Sequence, residues 1–329
     1  MELVCPAGNL PALKTAIDNG ADTVYIGFGD DTNARHFAGL NFNEGRAKQG
    51  VEYAHARGKK VYVAINTYPQ PSGWQRWIDA IDRSVRVGVD AIILADIGLM
   101  DYATKTYPNL NLHLSVQGSA TSYEALDFYY QNFNIKRAVL PRVLSIAQVK
   151  KVIDSSPVDI EVFGFGSLCV MVEGRCILSS YATGRSPNTY GACSPASHVE
   201  YIENDIKLET RLGGVLIDSY EEHETAGYPT LCKGRFESMG NTYYALEEPT
   251  SLNTLDILPE LKEIGVKAIK IEGRQRSPAY IQTVAKTWSQ ALRQLEAGDY
   301  QTKKEWHQAL SEVSEGHQTT LGAYHRSWQ

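Results

Sequence analysis

Eight apolar, β-branched runs alternating with amphipathic helical stretches predict an α/β fold of the (β/α)8 TIM-like barrel class. Two further observations support it. A short internal repeat places a helix-ending glycine just before an apolar strand, in Gly20-Ala-Asp-Thr-Val-Tyr-Ile26, Gly88-Val-Asp-Ala-Ile-Ile-Leu94 and Gly265-Val-Lys-Ala-Ile-Lys-Ile271. No run has the look of an open sheet edge, because each is followed by a helix.

The strand runs are Glu2 to Cys5, Thr23 to Phe28, Lys60 to Asn66, Ala91 to Ala95, Asn111 to Gln117, Arg137 to Arg142 and Ile160 to Gly166, with the last repeat as the eighth. Helical periodicity covers Leu10 to Asn19, Glu44 to Arg57, Trp74 to Val87, Tyr123 to Asn132, Ile146 to Asp154 and Leu252 to Ile264. Seven βα units occupy residues 1–166, and the eighth occupies 251–296. Residues 167–250 are far longer than an ordinary βα loop and read as an inserted subdomain, with strand-like runs at Val199 to Ile206 and Gly214 to Asp218. Residues 297–329 form a C-terminal extension.

Four of the five cysteines fall in that insertion, as Cys169-x6-Cys176-x16-Cys193-x38-Cys232. Four thiolates match the needs of a tetrahedral metal or an iron–sulfur cluster, whose positive core must be enclosed by soft anionic sulfur. The paired Cys-x2-4-Cys knuckles of structural zinc are missing, which favours the cluster, with zinc, disulfides and unrelated core thiols as the competing readings. Gly164, Gly166 and Gly174 around the first pair are expected to let backbone approach a bulky inorganic core. Cys5 stands apart.

In a barrel of this kind the loops leaving the C-terminal strand ends build the active site, so an insertion after strand seven should set its cysteines over the mouth. Polar residues at other strand ends converge on the same place: Asn66, Asp96, Gln117, Arg142, Glu272 and Arg274. Arg35, in the long loop after strand two, is suited to bidentate carboxylate binding, unless Asp30 or Asp31 pairs it at the surface. His113, on a strand, reads as a satisfied core residue.

Composition bounds the function. A chain of 329 residues that is 43% hydrophobic buries a large core, and its net charge of −6 gives no general attraction to phosphate backbones or anionic lipid. The longest apolar stretch, near Ala91 to Ala95, falls short of the ~20 residues of a membrane helix, so a cytoplasmic protein without a transmembrane segment is expected. Nucleotide-binding P-loop, serine-hydrolase elbow and zinc-protease helix motifs are missing from the sequence.

The string Glu161-x-Phe-x2-Gly166-Ser-Leu-Cys169-x4-Gly174-x-Cys176-x2-Ser179, with Asn188 and Gly191 before Cys193 and the closing Lys270-Ile-Glu-Gly-Arg274, resembles the collagenase-like peptidase family. The likeness runs from Leu3 to about residue 290. It implies a 4Fe-4S cluster on Cys169, Cys176, Cys193 and Cys232, and oxygen-independent hydroxylation rather than proteolysis. Phe165 stands where many members carry a histidine, which weakens peptidase chemistry further. Within the family the likeness is to an iron–sulfur subunit of anaerobic ubiquinone biosynthesis. That implies a heterodimer with a UbiV-like subunit, prenylated phenol substrates delivered by a lipid-binding accessory protein, and prephenate as hydroxyl donor held by arginines at the mouth. The alternative is an RNA-modifying hydroxylase of the same family, against which the acidic balance argues; a structural scaffold or a peptidase follows behind.

Overall fold

Helix starts are set locally. Asn9, Asn43, Asp96, Ser122, Ser145 and Ser277 each adopt extended backbone and accept an N–H from the third residue onward, and each opens a helix. Ser145 and Gln148 complete a reciprocal capping box. Gly20, Gly88 and Gly265, the repeated glycines, all have left-handed φ (99°, 78° and 99°), which lets each helix turn directly into the following strand.

The computed structural model describes residues 1–326 apart from 38, 191 and 205–206, and leaves the side chains of residues 188 and 189 undescribed. Strands β1 (Glu2–Pro6), β2 (Thr23–Ile26), β3 (Lys60–Ile65), β4 (Ala91–Leu94), β5 (Leu112–Leu114), β6 (Arg137–Val139) and β7 (Asp159–Ser167) pair in parallel, each with the next. A later strand, Ala268–Ile271, pairs in parallel with both β7 and β1 and closes an eight-stranded barrel. The helices alternating with them are α1 (Leu10–Asp18), α2 (Glu44–His55), α3 (Trp74–Val87), α4 (Ile97–Thr106), α5 (Tyr123–Phe133) and α6 (Ile146–Ser155). The predicted (β/α)8 class is the observed one.

The excursion after β7 carries two short helices, α7 (Leu178–Thr183) and α8 (Pro187–Tyr190). They precede an antiparallel sheet of β8 (Val199–Glu203), β9 (Lys207–Leu212) and β10 (Val215–Glu221) and a hairpin of β11 (Phe236–Ser238) and β12 (Asn241–Tyr243). The strand expected at Val199 to Ile206 thus ends at Glu203, and its last two residues lie outside the described ones. The helix expected from Leu252 begins late. Ser251–Asn253 is instead a strand, β13, because its partner is the overhanging end of β7, and α9 occupies Leu258–Glu263. After β14, the barrel-closing Ala268–Ile271, come α10 (Pro278–Ala297), α11 (Lys304–Glu312) and β15 (Thr319–Thr320), which pairs with β13. Among the described residues no helix is long and apolar enough to cross a membrane.

Two apolar regions divide the packing. The larger lies between sheet and helices and includes Leu13, Ile26, Ile81, Leu99, Ile269 and the fully buried Trp288. The smaller is the barrel interior, where Val4, Tyr25, Tyr62, Ala64, Ala91, Ile93 and Ala268 surround charged groups. There Arg137 donates to Glu161 Oε2 (3.2 Å) and Glu2 Oε2 (2.6 Å), and Lys270 Nζ donates to Glu161 Oε1 (2.7 Å). His113 sits edge-on to Tyr62 at 4.7 Å and is driven by burial down to about 3, so it is a neutral core residue as expected.

Burial pushes the Glu2 carboxyl up, but the charge and hydrogen bond of Arg137, with Thr23, outweigh it and hold Glu2 at about 2. A folded-state pKa below the unfolded value of 4.5 gives stability that is present above pH 4.5 and lost as pH falls toward about 2. Glu2→Gln is therefore expected to flatten the acid limb of the melting-temperature profile between those pH values, removing on the order of 2–3 kcal/mol of pH-dependent stability. Thermal melts from pH 7 to pH 2 check this; an unchanged acid limb counts against the pairing.

Candidate active site at the barrel mouth

A cavity of about 70 Å³ opens at the C-terminal end of the barrel. Its floor is the upper interior layer, with Tyr25, Ala64, Ile93, Val139, Phe163 and Lys270, and its wall comes from the loops that follow the strands. Of the seven residues expected at the mouth, six line this cavity: Arg35, Asn66, Gln117, Arg142, Glu272 and Arg274. Asp96 is the exception. Its Oδ1 accepts the Leu99 N–H (3.0 Å) as N-cap of α4, and it is not among the lining residues.

Arg142 joins three parts of the chain. From the loop after β6 its Nε donates to Glu173 Oε1 of the cysteine loop (2.7 Å), and its Nη1 donates to Glu272 Oε2 beyond β14 (2.8 Å) and to the Ser167 carbonyl. The guanidinium also lies 4.3 Å from the Phe163 ring centroid. It is 8% exposed, with Nε and Nη1 committed to protein partners.

Arg35 turns inward. Asp30 and Asp31 pair instead with Arg83 and Arg76, leaving Arg35 Nη2 3.4 Å from Glu272 Oε1. Arg274, 5% exposed, donates to Asn33 Oδ1 (2.6 Å) and has no carboxylate within salt-bridge distance among the described residues. Burial lowers it to about 10, with repulsion from Arg35 adding to the effect and Tyr25 and Glu272 opposing it. A buried cation with no carboxylate at salt-bridge distance is a candidate site for an anion. Asn66 orders the same wall by accepting the Ala34 N–H (3.1 Å).

The cysteine loop rests on this mouth. Cys169, Cys176 and Cys193 are in irregular segments and Cys232 is in a 3₁₀ turn. Gly191, part of the sequence motif before Cys193, lies outside the described residues, as do the side chains of Asn188 and Thr189. The thiols are near enough to act on one another electrostatically: Cys193 on Cys169, Cys176 on Cys193, and both Cys193 and Cys176 on Cys232. Burial is the main influence that raises Cys169, Cys193 and Cys232, the last to about 12. Cations oppose it, with Arg142 acting on Cys169, Arg35 and Arg142 on Cys193, and Lys233 on Cys232. Among the described residues, no three His, Cys, Asp or Glu side chains close to the spacing of a single-ion site.

The glycines have a different role from the expected one. A Cβ on Gly174 (φ +86°) would sit 2.3 Å from the Gln117 carbonyl oxygen, and one on Gly166 (φ +127°) 2.7 Å from Glu272 Cβ. Gly164 faces Ile269 and Trp288. These positions let the loop press against the barrel itself. Glu173, held between the loop cysteines, escaped the sequence reading; its only signal was a lone carboxylate beside Gly174. Phe165 is fully buried, 6.3 Å from the Tyr280 ring, and Cys5 is a core thiol at 1% exposure.

Comparison with known proteins gives a consistent answer. Peptidase family U32 matches residues 8–327. The tRNA hydroxylation protein P of Escherichia coli K12 is 31% identical over 317 residues, covering 90% of this chain and 69% of that protein. Its counterpart from Haemophilus influenzae is 30% identical over 321 residues, covering 90% and 68%. The 23S rRNA 5-hydroxycytidine C2501 synthase of Escherichia coli K12 is 30% identical over 292 residues, covering 89% of this chain and 39% of that enzyme. With the barrel, the mouth and the cysteine loop accounted for along nearly the whole match, this chain belongs to the collagenase-like peptidase family U32.

Proposed function

We propose that this chain is the iron–sulfur-bearing subunit of an oxygen-independent ring hydroxylase, with a 4Fe-4S cluster on Cys169, Cys176, Cys193 and Cys232. The observation that carries it is the grouping of four thiols above a cation-rich barrel mouth in a family whose relatives include named RNA hydroxylation proteins. The donor set suits the group: all four ligands are soft, and Arg35, Arg142 and Lys233 supply positive charge beside thiolates. When bound, the cluster supplies one-electron chemistry.

Arg274, helped by Arg35, would bind a small anionic hydroxyl donor, a role for which prephenate is a candidate; Lys270, Glu161 and Arg137 hold the cavity floor rigid beneath it. The relatives' activities point to a nucleobase of RNA as the acceptor ring. A prenylated phenol is the second reading. It is favoured by the chain's net charge of −6 and by Ile177 and Tyr181, 72% and 89% exposed beside Cys176, which suit an apolar partner or substrate more than a phosphate backbone. In that reading the chain corresponds to UbiU, works as a heterodimer with a UbiV-like subunit, and receives its substrate from a lipid-binding accessory protein.

Anaerobically purified wild type is expected to hold about four irons and four sulfides per chain with broad visible absorption, and Cys176→Ala to lose them. One zinc and no sulfide would overturn the cluster. Arg274→Gln is expected to keep the cluster while weakening donor binding at least tenfold, read by calorimetry with prephenate. Assays of the loaded protein on tRNA, on rRNA and, with a UbiV-like subunit, on a prenylated phenol separate the two acceptors by which one gains oxygen.

A further inference from the structure

Lys233 is a buried cation that directly follows Cys232 and does not line the mouth cavity. At 3% exposure its ammonium has two acceptors, the Thr250 carbonyl at 3.1 Å and the carboxylate of Glu315 in the C-terminal extension. A second path runs from Cys232 to the same extension. The Cys232 carbonyl accepts the Glu247 N–H (3.2 Å), and the buried Glu247 carboxylate accepts from Arg326 Nη2 (2.7 Å).

Both paths end in residues 314–326, and that segment is seated on the barrel by contacts of its own. β15 pairs with β13, the Glu315 N–H donates to Ser251 Oγ (2.9 Å), and the buried Tyr324 hydroxyl donates to the Phe163 carbonyl of β7 (3.1 Å). Gly322 lies against Leu168, the neighbour of Cys169: a Cβ there would sit 2.7 Å from Leu168 Cδ1. The segment thus touches the chain beside the first cysteine of the set and beside the last. Cys232 itself sits in a 3₁₀ turn of three residues, Leu231–Lys233, with no side-chain cap. So short a turn does little to fix its own place, and the ties from outside decide it. Chief among them is the Lys233–Glu315 pair, because a buried ammonium deprived of its carboxylate stays desolvated and uncompensated.

We propose that residues 314–326 are a strap that positions Cys232, latched by Lys233–Glu315 and Arg326–Glu247, and that seating of the strap controls how readily the four-cysteine site takes up and gives up its metal. Lys233 and Glu315 are positioning residues, and neither is a ligand. The control of metal rests on the cluster reading given above; the placing of Cys232 rests on the contacts alone.

The test has two arms, both on the full chain. In metal-free protein, alkylation of each cysteine by iodoacetamide is followed by mass spectrometry; in anaerobically purified loaded protein, release of iron to a chelator is timed. Glu315→Gln and Lys233→Met are each expected to speed labelling of Cys232 roughly tenfold, and iron release by about the same factor, while Cys5, 1% exposed in the core, stays protected. Arg326→Gln, whose side chain is 57% exposed, is expected to give the same pattern at about threefold. Protection of Cys5 separates release of the strap from global unfolding, and if a buried variant exposes Cys5 as well, Arg326→Gln decides. Labelling of Cys232 at the wild-type rate in every folded variant overturns the strap. Faster labelling with unchanged iron release overturns its control of the metal and leaves the positioning of Cys232 standing. A wild type that holds no iron overturns the cluster reading instead, and the labelling arm still judges the strap.

Discussion

The three-way clamp at Arg142 is the contact on which the arrangement of the mouth depends. One guanidinium, 8% exposed, binds the cysteine loop through Glu173, the last barrel strand's extension through Glu272 and the end of β7 through the Ser167 carbonyl. Removing one partner from a buried ion pair is far more damaging than never having had it, because the remaining charges stay desolvated. The clamp therefore makes the position of the cysteine loop conditional on barrel closure, and it sets two carboxyls in contrast, with burial raising Glu173 while Arg142 and Arg35 hold Glu272 low. Cations and carboxyls are thereby set around one cavity, with the cysteine loop held to its wall through Glu173.

The barrel beneath is stiffened in an unusual way for its class. Apolar branched layers commonly fill such interiors, whereas here Glu2, Arg137, Glu161 and Lys270 form a continuous chain of ion pairs among aromatic rings. Lys270 lies 3.9 Å from the Tyr25 ring centroid, and the Tyr25 hydroxyl donates to the Ile271 carbonyl. Paired charges hold their partners at fixed angles as packed methyl groups do not, so the cavity floor has little freedom to rearrange.

Much of this was legible in the chain. Strand starts agree with the sequence reading to within a residue or so, because β-branched runs and helix-ending glycines are local signals. The strand ends overshot at Asn66, Gln117 and Arg142 for one reason: those residues have left the hydrogen-bonded ladder and stand in the loops that build the mouth. Asp96 was drawn into the site by the same logic, but a carboxylate just before a helix satisfies backbone N–H groups first. The late start at Leu252 and the role of Glu173 were not legible, since each depends on a partner distant in sequence: β7 in one case and Arg142 in the other. The loop glycines were recognised as sites of close approach, but sequence spacing does not say what approaches.

The overhang of β7 past the barrel has a consequence for how the chain reaches this state. Ser251, Leu252 and Asn253 pair with Ser167, Gly166 and Phe165, so the two ends of the long excursion meet side by side. Closing the barrel requires β14 to find β7 across a sequence separation of about a hundred residues, as in Ala268 against Glu161. The antiparallel ladder reduces that search, because once it forms the excursion counts as a closed loop and only the short stretch from Asn253 to Ala268 remains to be ordered. Loop-closure entropy is thus met in two smaller steps, and the cysteine-bearing segment can vary in length without lengthening the last one.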